Sequence, residues 1–142
     1  MIYLDNAATT KPDEEVLAEA VKYYEENFWN PSALYAGGLA VKKRINEIRE
    51  EILKGFPSSF EAVFVSCGSE ADNTAIFSFA KRGNAVTTSG EHSAVYESFC
   101  ELKKRSVEPR FANLNDDGSV NVNDLLSRVD EKTTFVSVVH VN

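Results

Sequence analysis

A glycine and a serine at the start of a helical pattern are suited to binding an anion. A short apolar stretch runs into Ser66, Cys67, Gly68 and Ser69 and continues directly as a helical pattern. The unpaired N–H groups of a first helical turn, together with the Ser69 hydroxyl, favour a phosphate group, and Gly68 lets the backbone approach it closely. Gly68, Ser69 and these N–H groups form what we call the phosphate cup.

Ser69 has a second interpretation, in which it only caps the helix. Asp72 follows three residues later, and a serine with an acidic residue at that spacing is typical of N-terminal capping. On these residues alone capping is favoured over phosphate binding. Other segments of the chain must decide between the two.

His92 is the second candidate for a functional role. It follows a strand pattern near residues 85–88 and directly precedes a helical pattern. In open α/β sheets, ligands lie beyond the carboxyl ends of strands, so the links after Ser66 and after Thr88 should reach the same edge. An imidazole there can stack on a flat ligand, whereas capping or simple solvation is the alternative.

The other histidine and the cysteines carry weaker signals. His140 lies within a strand pattern, where a hydrogen-bonded core histidine is the ordinary outcome. Cys67 has no neighbouring base and is expected to pack as a small apolar residue. Cys67 and Cys100 form no CxxC pair, so we expect free thiols, without a disulfide framework or a metal site.

Composition indicates one domain that acts on a small molecule. The 142 residues are 43% hydrophobic and 26% charged, which is typical of a chain with a real core. A net charge of -7 argues against binding to nucleic acid or to an anionic membrane surface. The N-terminus shows neither a basic region nor an apolar run of membrane-spanning length, so a cytoplasmic location is expected.

Two amphipathic helices are predicted first. Pro12 opens one helix, and a second helix follows a break at residues 29–32 and stops at Gly55. The apolar positions at helical spacing are Leu17, Ala20, Val21, Tyr24 and Phe28 in the first helix, and Val41, Ile45, Ile48 and Ile52 in the second.

Strands and helices alternate along the rest of the chain. Strands are predicted near residues 62–66, 85–88, 107–112 and 133–141, helices near 70–81, 94–104 and 125–126, with a stop at Gly83 and a turn at 115–118. The alternation predicts the α/β class, with right-handed βαβ units and a mostly parallel sheet. The last strand, rich in β-branched residues, should be buried on at least part of both faces. Because no helix follows it, the chain is expected to be truncated.

Five blocks in order resemble the cysteine desulfurases of the pyridoxal-phosphate fold-type I, or class V aminotransferase, superfamily. The blocks are YLDNAATT at residues 3–10, NPS at 30–32 followed by Gly38, SCGSEADN at 66–73, EHSAV at 91–95 and VSVVHVN at 136–142. This resemblance covers essentially the whole chain and favours the phosphate interpretation of Ser69. It implies a three-layer αβα fold, with an N-terminal arm at residues 1–12. Residues 13–142 then form the helical entry and first βαβ units of an incomplete cofactor-binding large domain.

The resemblance also assigns residues to the cofactor, pyridoxal 5'-phosphate. Gly68 and Ser69 match the pair that holds the phosphate, Ser69 standing where the family usually has Thr. His92 matches the histidine that stacks on the pyridine ring and helps to move protons, and it is the catalytic residue implied here. The sequence departs from the family at Tyr35, where His is common, and at Cys67, where Gly is usual.

The activity implied is the conversion of cysteine to alanine with an enzyme persulfide. The family is usually a homodimer that passes sulfur to an acceptor or scaffold protein, for example in iron-sulfur cluster biogenesis. Its Schiff-base lysine, pyridine-pairing aspartate, mobile-loop cysteine and substrate-binding arginine lie further along, and Asn142 matches only the first residue of its Asn-Asn-Glu signature. The 142 residues alone are therefore expected to be inactive.

Two alternatives stay open at this point. The chain could belong to another class V enzyme, such as a selenocysteine lyase or an aminotransferase, because these share the phosphate cup. It could instead be a non-catalytic fragment or an interaction module. The last strand, which no helix covers, favours this alternative. Downstream residues would separate the enzymes from one another.

Overall fold

The computed structural model describes residues 2–141, which divide into two compact units, one ending at Val63 and one beginning at Phe64. Among these residues, no helix combines the length and apolar character needed to cross a membrane. The boundary between an arm at residues 1–12 and the rest of the chain stays a prediction.

The first unit contains the two predicted amphipathic helices. Helix α1 spans Glu14–Glu26 and helix α2 spans Ala36–Ile52. Asp13 caps α1 by accepting a hydrogen bond from Glu15 N at 2.8 Å, which satisfies one of the free amides of the first turn. No residue of α1 is buried, and Gly38 is the buried residue of α2.

The break between these helices packs closely against Gly38. Asn30 forms its turn by accepting hydrogen bonds at Oδ1 from Ser32 N at 2.9 Å and at its carbonyl from Ala33 N at 3.0 Å. A Cβ on Gly38 would lie 2.5 Å from the Asn30 carbonyl oxygen. A glycine is therefore required for the turn to approach the helix this closely.

The second unit alternates helices and strands, as the sequence predicts. Its elements are helix α3 (Gly68–Phe79), strand β1 (Asn84–Thr88), helix α4 (Ser93–Leu102), strand β2 (Glu108–Ala112), helix α5 (Val122–Ser127) and strand β3 (Thr133–Val136). A short 3-10 helix at Lys103–Arg105 extends α4. The predicted turn at residues 115–118 also forms, with Gly118 N donating to Asn115 O at 2.9 Å.

Three parallel strands form one sheet in the order β2-β1-β3. The central strand β1 is buried at every residue, and it pairs with β2 from Asn84 opposite Glu108 to Thr88 opposite Ala112. The chain passes from β1 to β2 on one side and then crosses back over β1 to β3. Because such crossovers are right-handed, α4 and α5 lie on opposite faces of the sheet. The predicted α/β fold is confirmed.

The core lies between the sheet and helices α3 and α4. The fully buried Phe99 of α4 has its ring 6.3 Å from the ring of Phe111 in β2 and 6.2 Å from that of Phe135 in β3. Ile76 of α3 and Leu102 of α4 belong to the same cluster. Burial of each such side chain contributes about 1.5–3 kcal/mol. This packing holds both helices against the sheet and so determines where their N-termini lie.

Residues 62–66 do not form the predicted strand. Val63 is 76% exposed and Val65 is 37% exposed. An apolar run becomes a strand only where a neighbouring strand offers its backbone, and the sheet that the described residues form consists of β1, β2 and β3. Helix α3 still begins close to the predicted position, so the phosphate cup is not displaced.

The last strand is shorter and more exposed than predicted. It ends at Val136, and its residues alternate between half-buried and exposed, so it is not buried on both faces. As an edge strand, β3 pairs with β1 on one side only. His140 lies beyond its end and is exposed, which contradicts the expectation of a core histidine. Asn142 lies outside the described residues.

Candidate functional site

The N-termini of α3 and α4 lie at the edge of the sheet where β1 ends. The short link at residues 80–83 joins α3 to β1, so the helix runs antiparallel to the strand and begins at the strand's carboxyl end. Helix α4 leaves that same end of β1 after the loop at residues 89–92. This edge therefore carries both sequence-predicted groups, the phosphate cup and His92.

A contact between α3 and α4 shows that the two helices begin level with each other. The Ser98 hydroxyl, which is 5% exposed, lies within hydrogen-bond distance of Asn73 Oδ1 and of the Ala94 carbonyl. Gly68 is the first residue of α3 and Ser93 is the first residue of α4. Asn73 and Ser98 each lie the same number of residues after the start of their helix. The first turns of the two helices consequently lie side by side at the edge of the sheet.

Helix α3 begins with an open N-terminus. Its N-cap is Cys67, whose side chain makes no capping hydrogen bond, and the helix's first hydrogen bond runs from Ala71 N to Cys67 O at 3.2 Å. Ser69 is thus the second residue of the helix, and the interpretation of Ser69 with Asp72 as a capping pair is wrong. A Cβ on Gly68 would meet no heavy atom within 4 Å, so the space before this turn is open.

Glu70 turns back to the residue that precedes the N-cap. Its Oε2 accepts hydrogen bonds from Ser66 Oγ at 2.6 Å and from Ser66 N at 2.7 Å, and both lower the pKa of the carboxyl group. The carboxylate thereby binds an amide outside the helix rather than those of the first turn. Sequence reasoning missed this pair, although a serine before a helix and a glutamate in its first turn are a recognisable capping signal.

Cys67 is exposed, which contradicts the expectation that it packs as a small apolar residue. The pKa of its thiol is lowered, chiefly by the backbone N–H of Glu70 and then by the Ser66 hydroxyl, whose oxygen lies 3.7 Å from the sulfur. First-turn N–H groups favour negative charge. The same electrostatic field is available to an anionic ligand at the phosphate cup.

His92 is the N-cap of α4. Its Nδ1 accepts a hydrogen bond from Ala94 N at 3.1 Å, and the imidazole is exposed. An Nδ1 atom that accepts is unprotonated, so the neutral ring carries its proton at Nε2. The capping interpretation of His92 is correct, but capping uses only one of the two ring nitrogens.

Glu91 connects the loop before His92 to the segment after β3. Its Oε1 accepts hydrogen bonds from Thr88 Oγ1 at 3.0 Å and from Val139 N at 2.8 Å. One carboxylate oxygen therefore links the segments that follow two neighbouring strands. Glu91 belongs to the EHSAV block, but sequence reasoning gives it no role, and no local pattern could have shown this contact because Val139 is distant in sequence.

Together these groups suit a ligand that carries both an anion and a flat ring. The helix N-terminus at Gly68 and Ser69 offers amides and a hydroxyl, and the imidazole of His92 lies at the adjacent helix terminus. Within residues 2–141, no cluster of three or more His, Cys, Asp or Glu side chains is placed to hold a metal ion.

Sequence comparison assigns the chain to a known family. The profile of the family described as "Aminotransferase class-V" matches residues 2–142. The chain belongs to the class-V aminotransferase family. This class-V chain is 37% identical over 147 residues to "Cysteine desulfurase IscS" of Clostridium botulinum strain Hall, a match that covers 99% of the chain and 37% of that relative. It is 32% identical over 148 residues to "Cysteine desulfurase 2" of Trichormus variabilis, covering 100% of the chain and 37% of that relative.

A solved structure shows the same fold. The protein named "NIFS-LIKE PROTEIN" matches the class-V chain with a TM-score of 0.83 at 31% identity, covering 94% of this chain and 38% of that one. The family predicted from the five sequence blocks is confirmed. The chain spans 37% of the length of the cysteine desulfurases that it matches.

Proposed function

We propose that this chain is the N-terminal part of a pyridoxal-phosphate-dependent cysteine desulfurase. The complete enzyme converts cysteine to alanine and retains the sulfur as an enzyme persulfide for transfer. The relatives named cysteine desulfurase, which match almost the whole chain, support this proposal. One observation carries the proposal. The open N-terminus of α3 at Gly68 and Ser69 lies beside the N-terminus of α4, which begins at the same height along the sheet and is capped by His92.

The residues present fit the phosphate of the cofactor. The space beside Gly68 is open, and Ser69 places an exposed hydroxyl in the first helical turn. The lowered pKa of the Cys67 thiol, caused first by the Glu70 N–H, indicates that the amides of this turn favour a negative charge. A phosphate bound here would accept hydrogen bonds from these amides and from Ser69.

The chain's own residues would bind and orient the cofactor. Pyridoxal phosphate, when bound, supplies an electron sink for negative charge at the substrate Cα. Ser69 and the first-turn amides of α3 would hold the phosphate, and the imidazole of His92 would lie against the ring. Because Nδ1 of His92 is engaged with Ala94 N, the proton that this ring can give or hold is at Nε2.

The cellular role is proposed from the same relationship. The complete protein would act in the cytoplasm as a homodimer, with cysteine as substrate and a sulfur-acceptor or scaffold protein as partner, for instance in iron-sulfur cluster biogenesis. The 142 residues on their own would be inactive, since no lysine among them matches the position at which the family attaches the cofactor.

The first test is the gene sequence immediately past codon 142, followed by an assay of the encoded protein. We expect the reading frame to continue with Asn-Glu, a downstream Asp and a His-Lys pair, and the full-length protein to release alanine from cysteine. A stop codon after Asn142, with no companion gene that supplies the lysine, would overturn the catalytic proposal. A continued frame without a loop cysteine, and with transamination in the assay, would favour an aminotransferase instead.

A second test isolates the phosphate cup in the full-length protein. Ser69→Ala should weaken binding of pyridoxal phosphate by about 10- to 100-fold, the usual effect of losing a hydrogen bond to a charged group. Ser78→Ala is the matched control, because Ser78 is an exposed serine near the other end of the same helix. Binding of pyridoxal, which lacks the phosphate, should not distinguish Ser69→Ala from the wild type. Equal effects of the two substitutions on pyridoxal phosphate would contradict the assignment.

A further inference from the structure

We propose that Glu91 is a positioning residue, whose carboxylate ties the His92 loop to the segment after β3. The inference deepens the proposed function and rests on it, because the position of His92 matters for chemistry only if a cofactor binds beside it. It is carried by three observations: the way in which β1 and β3 separate, the donors that Glu91 engages, and the place of this contact in the sheet.

Beyond the last hydrogen bond between β1 and the β3 segment, a side chain replaces the main-chain acceptor. Ser137 N donates to Val86 O at 3.0 Å, as in a parallel ladder. Because successive ladder bonds are two residues apart, the next bond would run from Val139 N to Thr88 O. Val139 N donates instead to Glu91 Oε1 at 2.8 Å. A side-chain carboxylate thus takes the place of a main-chain carbonyl at the point where the two segments part.

The accepting oxygen is itself held by β1. Thr88 is fully buried, and its Oγ1 donates to Glu91 Oε1 at 3.0 Å. The same Thr88 oxygen accepts from Gly90 N at 3.3 Å, which draws the loop back onto the strand end. The half-buried Glu91 side chain is therefore held in one position and does not sample several solvent-exposed conformations.

The contact lies where an α/β sheet binds its ligands. From β1 the chain leaves toward β2, while β3 lies on the other side of β1. In open α/β sheets, ligands bind outside the carboxyl ends of the strands, which is where the segments after β1 and β3 begin. Glu91 spans these two segments. His92 is the next residue, and its ring is held from the other side by its hydrogen bond to Ala94 N. The imidazole is consequently fixed between an anchor on the sheet and a cap on α4.

The test uses three variants of the full-length protein. Glu91→Ala removes the acceptor, and Glu91→Gln keeps an oxygen that can accept from Thr88 and Val139. Glu97→Ala is the matched control, because it removes an exposed carboxylate from α4. Hydrogen exchange at the Val139 amide reports the contact directly, and the absorption spectrum and pH profile of the pyridoxal-phosphate-bound protein report its effect on the ring.

We expect Val139 to exchange roughly 10- to 100-fold faster in Glu91→Ala, the range for a lost hydrogen bond to a carboxylate. We also expect the cofactor spectrum and the pH profile of kcat to shift in Glu91→Ala alone, with Glu91→Gln and Glu97→Ala close to the wild type. Unchanged protection of Val139 in Glu91→Ala would overturn the contact. Faster exchange with an unchanged spectrum and pH profile would overturn the positioning role. Failure of the wild-type protein to bind pyridoxal phosphate would instead overturn the proposed function.

Discussion

The imidazole of His92 has a structural task that can be separated from its proposed chemical one. Alanine at this position removes the hydrogen bond to Ala94 N and should cost about 1 kcal/mol of folding stability, as the loss of an N-cap usually does. Asparagine is a good N-cap but has no flat ring. We therefore expect His92→Asn to keep the unfolding midpoint of the wild type in urea, and His92→Ala to lower it.

The same pair of variants tests the chemical role in the full-length protein. If His92 stacks on the cofactor and moves a proton, His92→Asn should change the absorption of bound pyridoxal phosphate and lower kcat by about 100-fold or more, in the range for general acid-base groups. A His92→Asn enzyme with the wild-type spectrum and rate would show that capping is the whole role of this residue.

Cys67 should react as a more acidic thiol than an ordinary cysteine. The pKa of its thiol is lowered by the Glu70 N–H and by the Ser66 hydroxyl, so the thiolate forms at lower pH than in an ordinary cysteine. We expect the alkylation rate of Cys67 with iodoacetamide, followed by peptide mass spectrometry, to have a pH midpoint below that of a free cysteine measured in the same buffer. Ser66→Ala should move that midpoint upward. A wild-type midpoint at or above that of free cysteine would contradict the predicted shift.

At the scale of elements, Gly83 determines how α3 connects to β1. Its φ of +67° lies in the left-handed region, and a Cβ there would be 2.1 Å from the carbonyl oxygen of Lys132. That oxygen cannot readily move, because it accepts the hydrogen bond from Asn84 N at 3.1 Å. We expect Gly83→Ala to destabilise the chain by about 3 kcal/mol or more, as clashes in packed regions do.

Gly118 offers a matched control for that substitution. Its φ is +83°, but a Cβ would meet no heavy atom within 4 Å. Gly118→Ala should therefore show only the cost of the left-handed backbone, about 1–2 kcal/mol. Equal losses in urea unfolding for both variants would indicate that backbone strain alone, and not the Lys132 contact, requires a glycine at position 83.

At the scale of the whole second unit, Asp130 joins strands that are distant in sequence. Its carboxylate accepts hydrogen bonds from Arg110 Nη1, Asn84 Nδ2 and Lys132 N, each at 2.8 Å. The Arg110 guanidinium, followed by the Asn84 amide, holds the pKa of Asp130 far below its ordinary range. Because the folded pKa is depressed, the stabilisation is complete above the unfolded pKa of about 4 and is lost as the pH falls further.

The resulting prediction concerns acid stability. The urea midpoint of the wild type should fall as the pH is lowered below about 5, and Asp130→Asn should make this fall shallower. Asp116→Asn, which changes an exposed aspartate in the turn at residues 115–118, should keep the wild-type slope. Parallel pH curves for the wild type and Asp130→Asn would contradict this prediction.

The sequence by itself determined the features that depend on neighbours along the chain. Helical spacing predicted the helices, and the alternation of strand patterns, helical patterns and turn residues predicted β1, β2 and the turn at residues 115–118. Five ordered blocks predicted the family, because residue identities at a binding edge are readable without coordinates. The phosphate cup and His92 were predicted in this way, although α3 begins at Gly68, two residues earlier than the capping interpretation of Ser69 assumed.

The tertiary structure decided whatever depends on a partner distant in sequence. Residues 62–66 have strand-like composition, but only a neighbouring backbone can turn such a segment into a strand. Strand β3 ends at Val136, and beyond it Val139 N donates to Glu91 rather than to β1. The alignment of the α3 and α4 N-termini depends on the contact between Asn73 and Ser98. The Glu91 contact depends on Val139. Hydrogen bonds across such distances leave no periodic trace in the sequence, because each partner's local pattern is satisfied equally well without the other.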